Sequence, residues 1–303
     1  MSVLVAGILL SSVLLALAYA LFGRAVRRGL AAPRVARPAG PPGGSGRPVA
    51  IPTVNDKILR GWLLPASVPE APALVVMHGW GGNAEMMLPV VAPLREAGFA
   101  MLLVDARCHG LSDEDSFASL PRFAEDIEAS LAWLAQQPEA DPRRLGVLGH
   151  SVGAGAALLV ASRSGRPRAV VSIAAFAHPA RMMRRWLTAK RIPYWPLGAA
   201  ILWYVQRTIG CRFAEIAPLT TIGRARCPVL LLHGDRDDVV PATEAEEIHA
   251  ARGGAPVELA WIPGSHDDYG DAAEAAATAI AFLQRHLCPG GPWTSIRRRM
   301  RAP

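Results

Sequence analysis

From residue 49 onward the chain alternates short, nearly continuous apolar runs with longer stretches in which apolar and polar positions mix at helical spacing. The runs are ALVVM (73–77), AMLLVD (100–105), LGVLG (145–149), AVVSIA (169–174), VLLLH (229–233) and VELAWI (257–262). Runs this short predict strands buried on both faces, as in a parallel sheet covered by helices. Helices are predicted between and after them, over 122–137, 152–164 and 271–286. Ahead of them, VAIPTV and ILRGWLLP flank Asn55 and Asp56 and predict a two-stranded hairpin. The fold class is therefore α/β, and such sheets carry their chemistry in loops at the carboxyl ends of strands.

The amino-terminal pattern is different. Val3 to Phe22 is apolar without a charge, and at ~1.5 Å per residue it covers the ~30 Å of a bilayer's hydrocarbon core. A buried globular helix has the same composition, and Ala18-Tyr19-Ala20 resembles a signal-peptidase site. A signal peptide carries its positive charges before the apolar run, whereas here Arg24, Arg27 and Arg28 follow it. That order predicts a single-pass anchor over 1–23 with its carboxyl side in the cytoplasm; secretion after cleavage is the alternative. Residues 31–48 hold five Pro and four Gly, too few apolar groups for a core, so 24–48 is expected to be a basic, extended tether.

Charge sharpens this division. The net charge of +7 sits at the ends: 1–48 has six Arg and no acid, and 289–303 has four Arg and no acid. The domain proper, 49–288, has 22 basic and 25 acidic residues, 22 − 25 = −3. A local basic excess remains over 176–227, where nine Arg/Lys meet Glu215 alone. Basic ends beside an apolar segment fit anionic lipid rather than nucleic acid. Cys108, Cys211, Cys227 and Cys288 lack metal-ligand spacing and are read as reduced or buried thiols.

Read at the loop positions, a set of reactive residues emerges. Gly149-His150-Ser151-Val152-Gly153 is a G-x-S-x-G placed between a predicted strand and a helix. A nucleophile raised on so sharp a turn needs small neighbours, here Gly149, Gly153 and Ala154. The helix start also favours negative charge at Ser151. After ALVVM comes His78-Gly79-Trp80-Gly81-Gly82; the Trp80 amide, with that of Val152, is the candidate pair of oxyanion donors. His78 is read as a residue of its own loop. A serine needs a base, and of eight His the candidate is His266, between the last strand and last helix. His109 is the competitor. Asp235, Asp237 and Asp238 all stand in the loop after VLLLH.

Taken in order, HGWGG, DARCHGLSD, GHSVG, HGDRDDVVP and PGSH make residues 49–288 resemble the α/β-hydrolase superfamily of esterases, lipases and peptidase-like enzymes. The resemblance implies an eight-stranded, mostly parallel sheet and a triad of Ser151, Asp237 and His266. Its H-G-x-x-D-x-x-V-P pattern selects Asp237 and leaves Asp235 and Asp238 as turn residues. Cys108 stands where the related loop usually has Gly. The family inserts a helical cap at 176–227, which makes Trp186, Trp195, Trp203 and Tyr204 candidate substrate or cap residues. Beside Tyr194 and the basic residues they suit an interfacial helix on lipid, or else line the cap's own core.

The expectation is a membrane-anchored serine hydrolase acting on a small-molecule or lipid-like acyl ester, with no metal or organic cofactor. Peptidase or amidase, and acyltransferase or thioesterase, are alternatives on the same fold. A tethered scaffold with a vestigial site is an alternative of a different class.

Overall fold

A computed structural model describes residues 2–35, 46–268 and 272–288. Its centre is an eight-stranded sheet: β1 (Arg47–Thr53), β2 (Lys57–Leu64), β3 (Ala71–Met77), β4 (Ala100–Val104), β5 (Ala140–His150), β6 (Ala169–Ile173), β7 (Val229–Gly234) and β8 (Val257–Ile262). Their order is β1-β2-β4-β3-β5-β6-β7-β8. β2 runs antiparallel to both neighbours and the remaining pairs are parallel. The hairpin turns through Asn55 and Asp56, both at positive φ.

The unbroken apolar runs have a direct cause. Successive side chains leave opposite faces of a strand, so Ala73, Val75 and Met77 enter one core while Leu74 and Val76 enter the other. The first core is closed by α3 (Leu120–Leu134) and α4 (Val152–Arg163), the second by α2 (Leu88–Glu96) and α10 (Ala272–Leu287). α9 (Ala242–Ala250) joins β7 to β8. β1 and β8 are the edge strands, and Trp261 on β8 is exposed.

Chain order reverses at β3, whose neighbours β4 and β5 lie on opposite sides. This is the topological switch point, where open sheets of this type bind ligands. Between β6 and β7 the chain makes a helical insertion: α5 (Pro179–Ala189), α6 (Ala199–Ile209), α7 (Phe213–Ile216) and α8 (Pro218–Thr221).

At the amino end, α1 (Ser2–Gly29) is one helix, so residues 24–29 of the basic stretch are helical. It is long and apolar enough, by length and composition, to cross a membrane. Of the stretch expected as an extended tether, 30–35 instead lies against the domain, with Arg34 donating to the carbonyls of Gly110 and Ser112. Residues 36–45 and the basic tail 289–303 lie outside the described residues.

The loop after β4 is pinned from beneath by a fully buried Arg107. Its guanidinium meets Asp126 at 2.7 Å, Glu125 at 2.6 Å and Asp115 at 3.2 Å. The same loop places Cys108 at φ 66°, which accounts for Gly being the commoner choice there. Burial pushes the Asp126 carboxyl up to about 6, with the Arg107 charge and hydrogen bonds opposing the rise. A carboxyl raised in the fold favours folding below its unfolded pKa and loses that contribution as pH rises through the folded value. Arg107→Met is therefore expected to cost about 3–5 kcal/mol at pH 7.5, since it strands buried carboxylates. Urea unfolding against pH should show the deficit shrinking as pH falls toward about 6, because loss of Arg107 lifts the Asp126 carboxyl further and the variant takes up its proton before the wild type does.

Candidate active site

Ser151 occupies the turn between β5 and α4 at φ 53° and ψ −113°, a region that costs a non-glycine residue about 1–3 kcal/mol. The strain is held by hydrogen bonds on both sides. The Ser151 amide donates to the Ile173 carbonyl at 2.9 Å, and the Gly155 amide donates to the Ser151 carbonyl at 3.0 Å. Gly149 and Gly153 are required here for space. A Cβ on Gly149 would collide with the Gly153 carbonyl, and one on Gly153 would lie 2.6 Å from the Met77 carbonyl.

Three loops distant in sequence converge on this serine. His266, between β8 and α10, places Nε2 3.0 Å from Ser151 Oγ and Nδ1 2.8 Å from Asp237 Oδ2. Asp237 follows β7, and its side chain is fully buried. Burial alone would raise that carboxyl, but the His266 hydrogen bond, the Val239 and Val240 amides and the imidazole charge outweigh it. The result lies below the usual carboxylate range, so the pairing contributes at neutral pH and is lost only as pH falls through the depressed value. With Asp237 accepting from Nδ1, Nε2 is the nitrogen free to accept the serine proton. Such a chain can draw a proton off a hydroxyl.

Asp235 does more than the expected local turn residue. Asp235 Oδ1 accepts from the Gly264 amide at 2.9 Å, tying its loop to the one that bears His266. That bond, foremost, holds the exposed Asp235 carboxyl low. Asp238 is exposed. It is Asp237 itself that accepts from local amides, Val239 at 2.9 Å and Val240 at 2.7 Å.

On the opposite side, the His78–Gly82 loop passes directly over the serine, since a Cβ on Gly79 would lie 3.1 Å from Ser151 Cβ. The Trp80 ring stacks on Phe123 at 6.3 Å and meets His109 edge-on at 5.7 Å. Val152 is the first residue of α4, so its amide has no partner within the helix. His78 donates through Nδ1 to the Gly79 carbonyl at 2.6 Å and accepts from the Ala106 amide at 3.1 Å. His109 donates through Nδ1 to the Arg107 carbonyl at 2.9 Å. His78 thus ties its loop to the one after β4, whereas His109 bonds within its own.

Two further imidazoles belong to the surroundings. His150 Nε2 donates to the His266 carbonyl at 3.0 Å; burial, then the neighbouring imidazole charge, drives it down to about 4, so it is neutral at physiological pH. His233 Nε2 donates to the Val240 carbonyl at 2.9 Å and lies 3.4 Å from Asp237 Oδ2. Sequence reasoning assigned neither a role; the signal available was that each lies within a motif, GHSVG and HGDRDDVVP. Among the described residues, His150, His266 and Asp267 bring ligand-type atoms within 4.8 Å of one another. Both nitrogens of His266 are already committed to Asp237 and Ser151, so a cation there would compete with that chain.

The aromatic residues of the insertion are divided by the structure. Trp186 is half-buried against the core, Tyr204 is buried and faces α1, and Trp195 and Trp203 face outward.

Residues 69–208 match a hydrolase family described as serine aminopeptidase, S33. An uncharacterised protein of Mycobacterium tuberculosis is 30% identical over 226 residues, spanning 74% of this chain and 73% of the relative. A polyketide transferase of Aspergillus fumigatus is 33% identical over 133 residues, 43% of this chain and 45% of the relative. Among solved structures, an esterase of Pyrococcus furiosus superposes with a TM-score of 0.68 at 22% identity, over 85% of this chain and 98% of that one. An α/β-hydrolase of a Penicillium species gives 0.63 at 20% identity, over 80% and 99%. At these identities the structural likeness bears on the fold.

The strained serine yields a prediction independent of activity. Ser151→Gly, which relieves the positive φ, is expected to be more stable than Ser151→Ala by about 1 kcal/mol, measured as the difference in unfolding free energy between the two variants.

Proposed function

Because the chain belongs to the α/β-hydrolase superfamily, we propose that it is a membrane-anchored serine hydrolase that cleaves carboxylic esters through an acyl-enzyme. The observation that carries this is the placement of His266 between Ser151 Oγ at 3.0 Å and Asp237 Oδ2 at 2.8 Å. Ser151 attacks the ester carbonyl as His266 Nε2 takes its proton, and Asp237 holds the ring and balances its charge. The amides of Trp80 and Val152 stabilise the oxyanion, each worth roughly 3 kcal/mol in the barrier. His266 returns the proton to the alkoxide leaving group, and the acyl-enzyme is then hydrolysed by a water that His266 deprotonates.

The anchor is assigned to α1, with the hydrolase domain on the cytoplasmic side because Arg24, Arg27 and Arg28 follow the apolar run. Retention of α1 is supported by its packing: Val26 is buried in the domain's core, and Phe22 packs against Tyr204. Cleavage after Ala20 would remove Tyr19, which meets Tyr204 at 5.8 Å, and leave Phe22 and Val26 on a short remnant of the helix.

Two specific observations favour neighbouring chemistries. The family description names an aminopeptidase, for which the acyl-enzyme forms from an amide. The Aspergillus fumigatus relative is named a polyketide transferase, for which an acceptor other than water receives the acyl group. Ester cleavage stands first because an alkoxide leaves more readily than an amine and asks nothing of the site beyond Ser151, His266 and Asp237.

Labelling with a fluorophosphonate probe is expected for the wild type and lost in Ser151→Ala; a folded wild type that fails to label would favour a non-catalytic tethered scaffold. Asp237→Asn is expected to lower turnover by roughly 10⁴ through the wrong histidine tautomer, whereas Asp235→Asn, which keeps an acceptor for the Gly264 amide, should retain most activity. Rates on p-nitrophenyl esters, aminoacyl anilides and an added alcohol acceptor separate the three chemistries.

A further inference from the structure

The carboxyl end of α1 is packed against the cap. Tyr204 on α6 meets Tyr19 at 5.8 Å and Phe22 at 5.6 Å between ring centroids. Its hydroxyl accepts from the Arg27 guanidinium, and its ring fills the space where Gly23 would carry a Cβ. Tyr19 to Arg27 covers about 12 Å of helix, and the change from apolar to basic falls inside that interval, between Phe22 and Arg24. Tyr204 thus presents its ring to the last apolar turn and its hydroxyl to the first charges. That is how a tyrosine sits where hydrocarbon gives way to water, and it fixes the depth of α6.

What α6 exposes at that depth is apolar and basic. Trp203 is 54% exposed and Arg207, one turn on, is exposed on the same side. The segment leading into α6 continues the surface: Lys190, Arg191, Tyr194, Trp195 and Leu197 are all exposed, Trp195 by 79%. The basic side chains nearer the domain are differently used, with Arg181 paired to Glu247 and Arg185 to Glu244. The reading in which the aromatics line the cap's own core holds for Tyr204 and Trp186 and fails for Trp195 and Trp203.

The segment after α1 carries the same alignment to the rim of the site. Pro33 lies on Gly81, where a Cβ would come within 2.9 Å of its ring, and Asn83 donates to the Val35 carbonyl at 3.4 Å. Arg34 donates to Gly110 at 3.2 Å and Ser112 at 3.0 Å. Gly29 and Pro33 are separated by at most about 14 Å of extended chain, so the loops after β3 and β4 are held close to the membrane end of α1. Those loops expose Trp80, Met86 and Leu111.

We infer that the cap surface from Lys190 to Arg207, together with the rim residues Trp80, Met86 and Leu111, lies on the surface of an anionic phospholipid bilayer, and that the site takes esters whose acyl chains are dissolved in that bilayer. The surface follows from the depth at which α1 holds α6; the substrate class rests in addition on the ester-hydrolase reading above. Burial of aromatic area in the interface and attraction of Lys190, Arg191 and Arg207 to anionic headgroups act together.

The test uses the full chain reconstituted in vesicles of phosphatidylcholine and phosphatidylglycerol, wild type beside the double variant Trp195→Ser/Trp203→Ser. Replacing the phosphatidylcholine by its brominated-chain form is expected to quench a clearly larger fraction of tryptophan emission in wild type than in the variant; equal fractions would overturn the docking. With p-nitrophenyl palmitate carried in the same vesicles, the variant is expected to lose about tenfold in rate while staying within about twofold of wild type on aqueous p-nitrophenyl acetate. An unchanged rate on the vesicle-borne ester would overturn the substrate class. Quenching is read without turnover, so a wild type that quenches but neither labels nor hydrolyses acetate would count against the hydrolase reading while supporting the docked surface.

Discussion

Between Gly149 and Gly153 the backbone doubles back so closely that neither position admits a side chain, and the rest of the molecule is arranged around that approach. β5 ends at the turn and β3 pairs with it in register, Met77 opposite Gly149. The loop leaving β3 therefore has to cross the serine, and the carbonyls of Met77 and His78 press against Gly153. Loosening this contact would move the Trp80 amide and Ser151 apart together. The buried Arg107 serves the same end one strand away, holding the β4 loop down on α3 so that the crossing loop has a floor.

The sheet was legible because its central strands are buried on both faces where they pair, which leaves few polar residues there beside Ser172 and His233 and makes the runs visible. The exposed edge strand β8 fits this account less well, since its partial burial leaves Glu258 and Trp261 among its residues. The serine, histidine and acid were legible from motif and loop position. What surrounds them was not. His150 and Asp235 act on the His266 loop through a backbone carbonyl and a backbone amide more than a hundred and nearly thirty residues away, and a backbone partner leaves no trace in residue type. Asp235 consequently looked like a local turn residue, while the local amides are taken by Asp237.

The tether illustrates the converse problem. Five prolines and four glycines between 31 and 48 speak against a core of their own, yet say nothing about docking onto another surface. Pro33, Arg34 and Val35 dock by contacting Gly81 and the carbonyls of Gly110 and Ser112, which composition does not report. The cap was legible as an inserted segment of mixed basic and aromatic character. Its division into inward Tyr204 and outward Trp195 and Trp203 depends on the position of α1, which no periodicity within the cap encodes.

The packing of Tyr204 on α1 also has a bearing on biogenesis. Arg27 and Tyr204 are 177 positions apart, so the helix leaves the ribosome long before the cap helix that covers it. If α1 enters the bilayer first, the strands up to β6 are synthesised before Tyr204 can reach Phe22, and that contact closes at the membrane. A chain released without α1 would have lost the surface on which that step takes place.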